Sequence, residues 1–222
     1  MRALLIGSIG VVTETSDHQR QAYNEALATE GLDWHWDENT YRQLLSFSGG
    51  MARLEMLAAT TGQSLPEDQV KRIHSTKTRL ACERIQEEEL QPRDGIVSLI
   101  KQAREMGLKV FWVTSTNSEN TSAILAAARD LSEDDFDQIY FRDDVSQGKP
   151  APDIYLKVLQ DHQLEPEDVL AIEDSLPSLL SARRAGIRTI SYPGAMHDDS
   201  TEGIADDVCH SGKDLTAALS AA

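Results

Sequence analysis

The sequence predicts an α/β fold built on a parallel sheet, and two features of its pattern support this. Short apolar runs of strand type recur along the chain, each followed by a turn and a segment of helical periodicity. Such alternation favours a parallel sheet with helices on both faces. One long segment near the start breaks the alternation, because its pattern is helical throughout. We therefore expect a Rossmann-like core with a helical cap inserted after the first strand.

The expected elements follow in order along the chain. The strand candidates are residues 3–6, 108–113, 138–141, 169–172 and 187–190, with a weak last one at 206–208. The helical segment has the i, i+3, i+4 spacing of a buried stripe, for example at Ala22 and Ala26. The sequence thus predicts a core of residues 1–15 and 91–222 and a helical cap of residues 16–90.

Composition narrows the function classes. The 222 residues carry 21 Lys and Arg against 37 Asp and Glu, a net charge of -16. So acidic a chain is poorly suited to binding nucleic acid or an anionic membrane. No run approaches the ~18 apolar residues of a membrane span, and the start lacks the apolar region of a signal peptide. Cys82 and Cys209 have no metal-ligand spacing. We expect a cytoplasmic protein that binds neither nucleic acid nor membrane.

Residues 113–117, VTSTN, follow a strand candidate and open a helical pattern. Thr114 would place a hydroxyl and the following backbone N–H groups at a helix N-terminus, which favours phosphate oxygens. The alternative is that this segment is only a helix cap, since Ser and Thr are common cap residues.

Two further segments carry charged residues beside predicted turns. In GKPAPD, residues 148–153, the prolines stiffen the backbone that presents Lys149, whose ammonium suits a phosphoryl group. Glu173 and Asp174 end a strand candidate, where paired acids suit Mg²⁺. The alternatives are a surface lysine and acids placed at a helix N-terminus.

Together these segments resemble the haloacid dehalogenase-like hydrolases, and the resemblance spans nearly the whole chain. Within the cap, GLDWHWDENTYRQLLSFSGGMARLEML and ETSDHQRQAYN resemble the CbbY-like and β-phosphoglucomutase-like sugar-phosphate phosphatases. The resemblance implies Mg²⁺-dependent phosphoryl transfer on a phosphosugar held between core and cap. It implies phosphate binding by Thr114, Ser115 and Lys149, substrate contacts by Glu14, Arg20, Gly49, Gly50 and Arg53, and metal binding by Glu173 and Asp174.

The chain departs from that family where the chemistry should be. The family's first strand ends in a DxD pattern, whose first Asp attacks phosphorus and whose second acts as acid and base. Here Gly7 and Ile9 stand at those positions, and neither can replace a carboxylate nucleophile. Ser8 is expected to point away from the face of residues 7 and 9, because strand residues alternate.

Three hypotheses of function remain open. The chain is a catalytically silent family member that retains phosphosugar binding, with Mg²⁺ binding weakened or lost. Otherwise it is an active phosphatase or phosphomutase with a non-standard nucleophile, or an interaction scaffold for an unknown protein partner.

Overall fold

A six-stranded parallel sheet forms the centre of the protein. The computed structural model describes residues 1–196 and 203–221. The strands lie in the order β3-β2-β1-β4-β5-β6, and every neighbouring pair is parallel. The strands are β1 (Ala3–Ile6), β2 (Lys109–Val113), β3 (Gln138–Tyr140), β4 (Val169–Glu173), β5 (Arg188–Ser191) and β6 (Asp207–Val208). The predicted α/β fold is confirmed, and each predicted strand lies within one residue of its expected bounds.

Ten α-helices accompany the strands in the described part of the chain. Six lie between β1 and β2, one follows each of β2, β3 and β4, and the last follows β6. They are α1 (Ile9–Val12), α2 (Ser16–Thr29), α3 (Glu38–Leu44), α4 (Gly50–Thr60), α5 (Glu67–Glu87), α6 (Ile96–Glu105), α7 (Ser118–Ala127), α8 (Asp153–His162), α9 (Leu176–Arg184) and α10 (Gly212–Ser220).

Alternation along the strands divides the core into two apolar layers. In β1, Leu4 and Ile6 pack into one layer with residues of α6, α7 and α10. Ala3 and Leu5 face the opposite layer, which α8 and α9 cover. Strands buried on both faces explain the nearly continuous apolar runs seen in the sequence.

The inserted helices have an apolar cluster of their own. Trp36 is fully buried there, and its ring stacks on Tyr41 at a centroid distance of 6.0 Å and lies 4.2 Å from the Tyr23 ring. We call α2 to α5 the cap, although its limits at residues 16 and 90 stay a prediction. Among the described residues, no helix is long and apolar enough to cross a membrane.

Candidate functional site

A cleft of about 490 Å³ lies between the cap and the carboxyl ends of the central strands. This is where parallel α/β sheets usually bind their ligands. The loops after β1, β2 and β4 line its core side, and α2, α4 and α5 line its cap side. The cleft brings together many of the expected site residues: Gly49, Gly50, Arg53, Thr114, Ser115 and Asp174.

The segment after β1 forms the floor of the cleft through Ser8, Ile9 and Gly10. The expectation that Ser8 points away is wrong: Ser8 lines the cleft, and its Oγ lies 2.7 Å from Ser178 Oγ. The physical reason is that β1 ends at Ile6 and α1 begins at Ile9. Strand alternation therefore no longer applies at Ser8.

The position of Gly7 is filled by another side chain. A Cβ on Gly7 would overlap the carboxyl group of Glu173 and would lie 2.5 Å from the carbonyl oxygen of Ile172. The Gly7 N–H donates to that same carbonyl at 2.9 Å, so the two backbones approach closely. Only glycine fits without a shift of the backbone.

Glu173 is fully buried, and both of its carboxylate oxygens are engaged. Oε1 accepts from Lys149 Nζ at 2.5 Å and from the Tyr155 hydroxyl, and Oε2 accepts from the Ser8 N–H at 3.0 Å. Burial and the adjacent Glu173 carboxylate raise the pKa of Tyr155 well above its ordinary value. The tyrosine therefore stays protonated as a donor.

Lys149 lies outside the set of described residues that line the cleft. Its side chain is 1% exposed, and Nζ donates to Glu173 and, at 2.9 Å, to the Val113 carbonyl. Tyr155 Oη lies 3.3 Å from the same nitrogen. The sequence placed Lys149 beside a phosphoryl group, whereas the structure places it in a buried ion pair; its phosphate role stays a prediction.

Asp174 is 3% exposed and lines the floor of the cleft. A Cβ on Gly10 would overlap its Oδ2, so the glycine leaves room for the carboxylate. Its Oδ1 is buried without a hydrogen-bond partner among the described residues. Asp174 thus presents an uncompensated acceptor at the core end of the cleft.

These acids do not fit a Mg²⁺ site well. Mg²⁺ requires near-octahedral oxygen ligands, but both oxygens of Glu173 are engaged and only Asp174 keeps a free one. Within the described ranges, no group of three or more His, Cys, Asp or Glu residues is placed to hold a metal ion.

The wall after β2 is formed by residues 114–117. Thr114 Oγ1 accepts from the Thr116 N–H at 3.3 Å, and Asn117 caps α7 by accepting from the Asn120 N–H at 3.0 Å. The segment is therefore both a helix cap and part of the cleft. Ser48 of the cap donates to Ser115 Oγ at 3.3 Å, which links the two sides.

On the cap side, two glycines shape the start of α4. Gly49 has a φ of +93°, which strongly favours glycine. A Cβ on Gly50 would lie 2.5 Å from the Tyr23 hydroxyl and would overlap the His74 ring. Arg53 follows one turn later, donates to the Phe47 carbonyl at 3.1 Å and lies 5.8 Å from the Tyr41 ring centroid.

Lys77 is a candidate ligand-binding residue that the sequence pattern did not single out. It is 7% exposed, lines the cleft, and places Nζ 5.0 Å from the Tyr23 ring centroid. No carboxylate of the described residues lies within ion-pair distance of it. Burial, and then the charge of Arg53, lower its pKa to about 7.

A signal for Lys77 was present in the sequence. It lies four residues after Ile73 and four before Ala81, both buried, and thus occupies the buried stripe of α5. A lysine at a stripe position indicates either a buried ion pair or a ligand contact. His74 lies nearby, and burial, followed by the charges of Lys77 and Arg53, lowers its pKa to about 4.

Glu14 and Arg20 do not lie among the described residues that line the cleft. Arg20 donates to Asp17 at 2.6 Å and to the Trp36 carbonyl at 3.1 Å, within the cap. Glu14 accepts from the Ala195 N–H at 2.9 Å. Their substrate contacts therefore stay predictions.

Comparison with known proteins identifies the family. The family model "haloacid dehalogenase-like hydrolase" matches residues 1–186. The chain belongs to this family. Its members generally use Mg²⁺. The chain is 37% identical over 194 residues to protein CbbY of Rhodobacter capsulatus, covering 87% of this chain and 86% of that one. It is 38% identical over 212 residues to the plasmid-encoded CbbY of Cupriavidus necator, covering 91% and 83%.

Solved structures agree with this assignment. CbbY from Rhodobacter sphaeroides in complex with phosphate superimposes with a TM-score of 0.89 at 33% identity, covering 97% of this chain and 96% of the other. A variant of that protein in complex with xylulose 1,5-bisphosphate gives a TM-score of 0.88 at 33% identity, with coverage of 96% and 95%. This haloacid dehalogenase-like chain is therefore similar to CbbY in both sequence and fold.

Proposed function

We propose that this haloacid dehalogenase-like chain binds a phosphosugar between core and cap and does not transfer its phosphoryl group. The observation that carries the proposal is the contrast between the two ends of the cleft. The floor holds Ser8, Ile9 and Gly10, without a carboxylate at residues 7 or 9. The cap wall holds Arg53 and Lys77, which have no acidic partner among the described residues.

The charges favour anion binding at the cap end. An unpaired, buried ammonium is costly unless a counter-ion arrives, and a phosphate would supply that counter-ion to Lys77. Gln19 Nε2 and the Tyr23 hydroxyl are also buried without hydrogen-bond partners in the described chain. Both groups could donate hydrogen bonds to a ligand at this end of the cleft. Similarity to a CbbY that binds phosphate and xylulose 1,5-bisphosphate supports a phosphosugar.

The second hypothesis, an active enzyme with a non-standard nucleophile, is favoured by one observation. Asp174 Oδ1 is a carboxylate oxygen without a partner on the cleft floor, and carboxylates do serve as nucleophiles in phosphoryl transfer. The scaffold hypothesis and a cytoplasmic location stay predictions.

A thermal-shift titration tests the binding proposal. Xylulose 1,5-bisphosphate should raise the melting temperature, because a ligand that binds only the folded state stabilises it. Lys77→Met should abolish most of that rise by removing the cation. Lys71→Met is the matched control, because Lys71 is exposed on the same helix; it should respond like the native chain.

Absence of any shift with sugar mono- and bisphosphates would refute the binding proposal and leave the scaffold hypothesis. An undiminished shift in Lys77→Met would place the ligand away from the cap cation.

A further inference from the structure

We propose that Glu173 replaces the missing side chain of residue 7: its carboxylate fills that space, holds Lys149 as a permanent counter-ion, and leaves the cleft to bind its anion without a divalent cation. The proposal rests on the proposed function for the identity of the ligand. It goes further by assigning a role to Glu173 and by stating that the site binds its ligand without a metal ion.

The space beside Gly7 is already filled by a side chain of the neighbouring strand. The Glu173 carboxyl group occupies the position that a Cβ of residue 7 would take. Glu173 is the last residue of β4, and β4 pairs directly with β1. A longer side chain on the neighbouring strand therefore reaches across into the space that glycine leaves.

The charge of Glu173 is fully compensated within the core. The Glu173 carboxylate has three donors: Lys149 Nζ, the Tyr155 hydroxyl and the Ser8 N–H. A buried carboxylate with a charged partner and two further hydrogen bonds is well satisfied. Lys149 is equally committed, because its ammonium also donates to the Val113 carbonyl.

These contacts make Glu173 a poor ligand for a metal ion. To bind one, Glu173 would have to give up its donors and leave Lys149 buried without a counter-ion, which is strongly unfavourable. Asp174 alone offers one free carboxylate oxygen. Mg²⁺ is usually held by one or two carboxylates together with substrate phosphates, and the proposed anion lies at the cap wall beside Lys77 rather than beside Asp174.

Titration with Mn²⁺, a spectroscopic substitute for Mg²⁺, tests the metal directly by electron paramagnetic resonance. We expect no saturable binding to the native chain. The rise in melting temperature caused by xylulose 1,5-bisphosphate should be the same in EDTA and in Mg²⁺. Saturable Mn²⁺ binding that Glu173→Gln abolishes would overturn the proposal.

The role of Glu173 is tested with inorganic phosphate as the probe. Glu173→Ala frees Lys149 and opens space beside Gly7, so phosphate should stabilise this variant more than the native chain. The double variant Glu173→Ala, Lys149→Met is the matched control and should lose the gain. If Glu173 were a metal ligand, Glu173→Ala would weaken phosphate binding instead, which is the opposite sign.

A second variant and an independent measurement cover two ways in which this test could fail. Glu173→Gln preserves the shape of the side chain and replaces Glu173→Ala if that variant does not fold; it should show a smaller gain of the same sign. Failure of the native chain to bind any phosphosugar would refute the proposed function alone. The Mn²⁺ titration and the Glu173 comparison would still decide whether the carboxylate is committed to Lys149.

Discussion

Lys77 links the electrostatics of the cleft to pH. Its neighbours from the surrounding elements are the Tyr23 ring of α2, Arg53 of α4, and His74 and Cys82 of α5. None of these supplies a carboxylate, so burial and Arg53 hold the pKa of Lys77 at about 7. The lysine therefore changes its charge close to neutral pH, whereas His74 is neutral above about pH 4.

Phosphosugar affinity should therefore fall as pH rises through about 7, because Lys77 loses its charge there. The phosphate does not offset this loss, since its second pKa of about 6 leaves it mostly dianionic already. Calorimetric titration across neutral pH measures the effect. Lys77→Arg should remove the fall, because arginine stays charged. A pH-independent affinity in the native chain would contradict the role of Lys77.

Lys77 also contributes to the pH dependence of folding. The unfolded chain binds a proton at Lys77 up to its ordinary pKa of 10.5, whereas the folded chain releases it near pH 7. Since the unfolded state binds more protons in this window, Lys77 makes the unfolding free energy of the free protein rise with pH there. A bound phosphate opposes this contribution, because it favours the charged form of Lys77.

Contacts between individual side chains could not be predicted from the sequence. Gly7, Lys149 and Glu173 were each singled out, but their mutual contact depends on the direction of side chains from different elements. The sequence pattern predicts that strand ends meet, not which carboxylate fills a vacant position. The Ser8 prediction failed for a related reason, since β1 ends two residues before it.

Among the elements, α4 depends on the glycine at its start. Gly50→Ala forces a Cβ against Tyr23 of α2 and His74 of α5, so the cap must shift to accommodate it. Overpacking of this kind costs about 1–3 kcal/mol. Urea denaturation should show this loss together with weaker phosphosugar binding. Thr60→Ala, at an exposed residue of the same helix outside the described lining of the cleft, should change neither; equal stability of both variants would contradict the packing.

The sheet was more predictable than the cap. Strands β1, β2 and β4 are buried, nearly continuous apolar runs, so their positions are readable from hydrophobicity. In α5, by contrast, the buried stripe includes Val70, Ile73 and Ile85. Lys77 and Ala81 also belong to it, whereas Leu80 is only half-buried. A polar residue in a buried stripe interrupts the apolar periodicity, so the sequence pattern did not single out Lys77.

For the whole molecule, the arrangement of charge separates binding from catalysis. Cap cations without acidic partners in the described chain face the cleft from above. On the floor, Asp174 keeps its free oxygen, and the Glu173–Lys149 pair is sealed beneath. An anion in the cleft would therefore meet cations at the cap wall, with no lysine charge open to it from the core.

Phosphate release is the measurement that separates a silent protein from an active one. We expect none from sugar mono- or bisphosphates with Mg²⁺, because residues 7 and 9 carry no carboxylate. Restoring both aspartates, Gly7→Asp with Ile9→Asp, should also stay silent and should lower the melting temperature. A side chain at residue 7 collides with Glu173 and with the Ile172 carbonyl, so the restored carboxylate has no place. CbbY of Rhodobacter sphaeroides, assayed in parallel, controls for the substrates. Release from the native chain that disappears in Asp174→Asn would establish the alternative nucleophile and refute the silent-protein proposal.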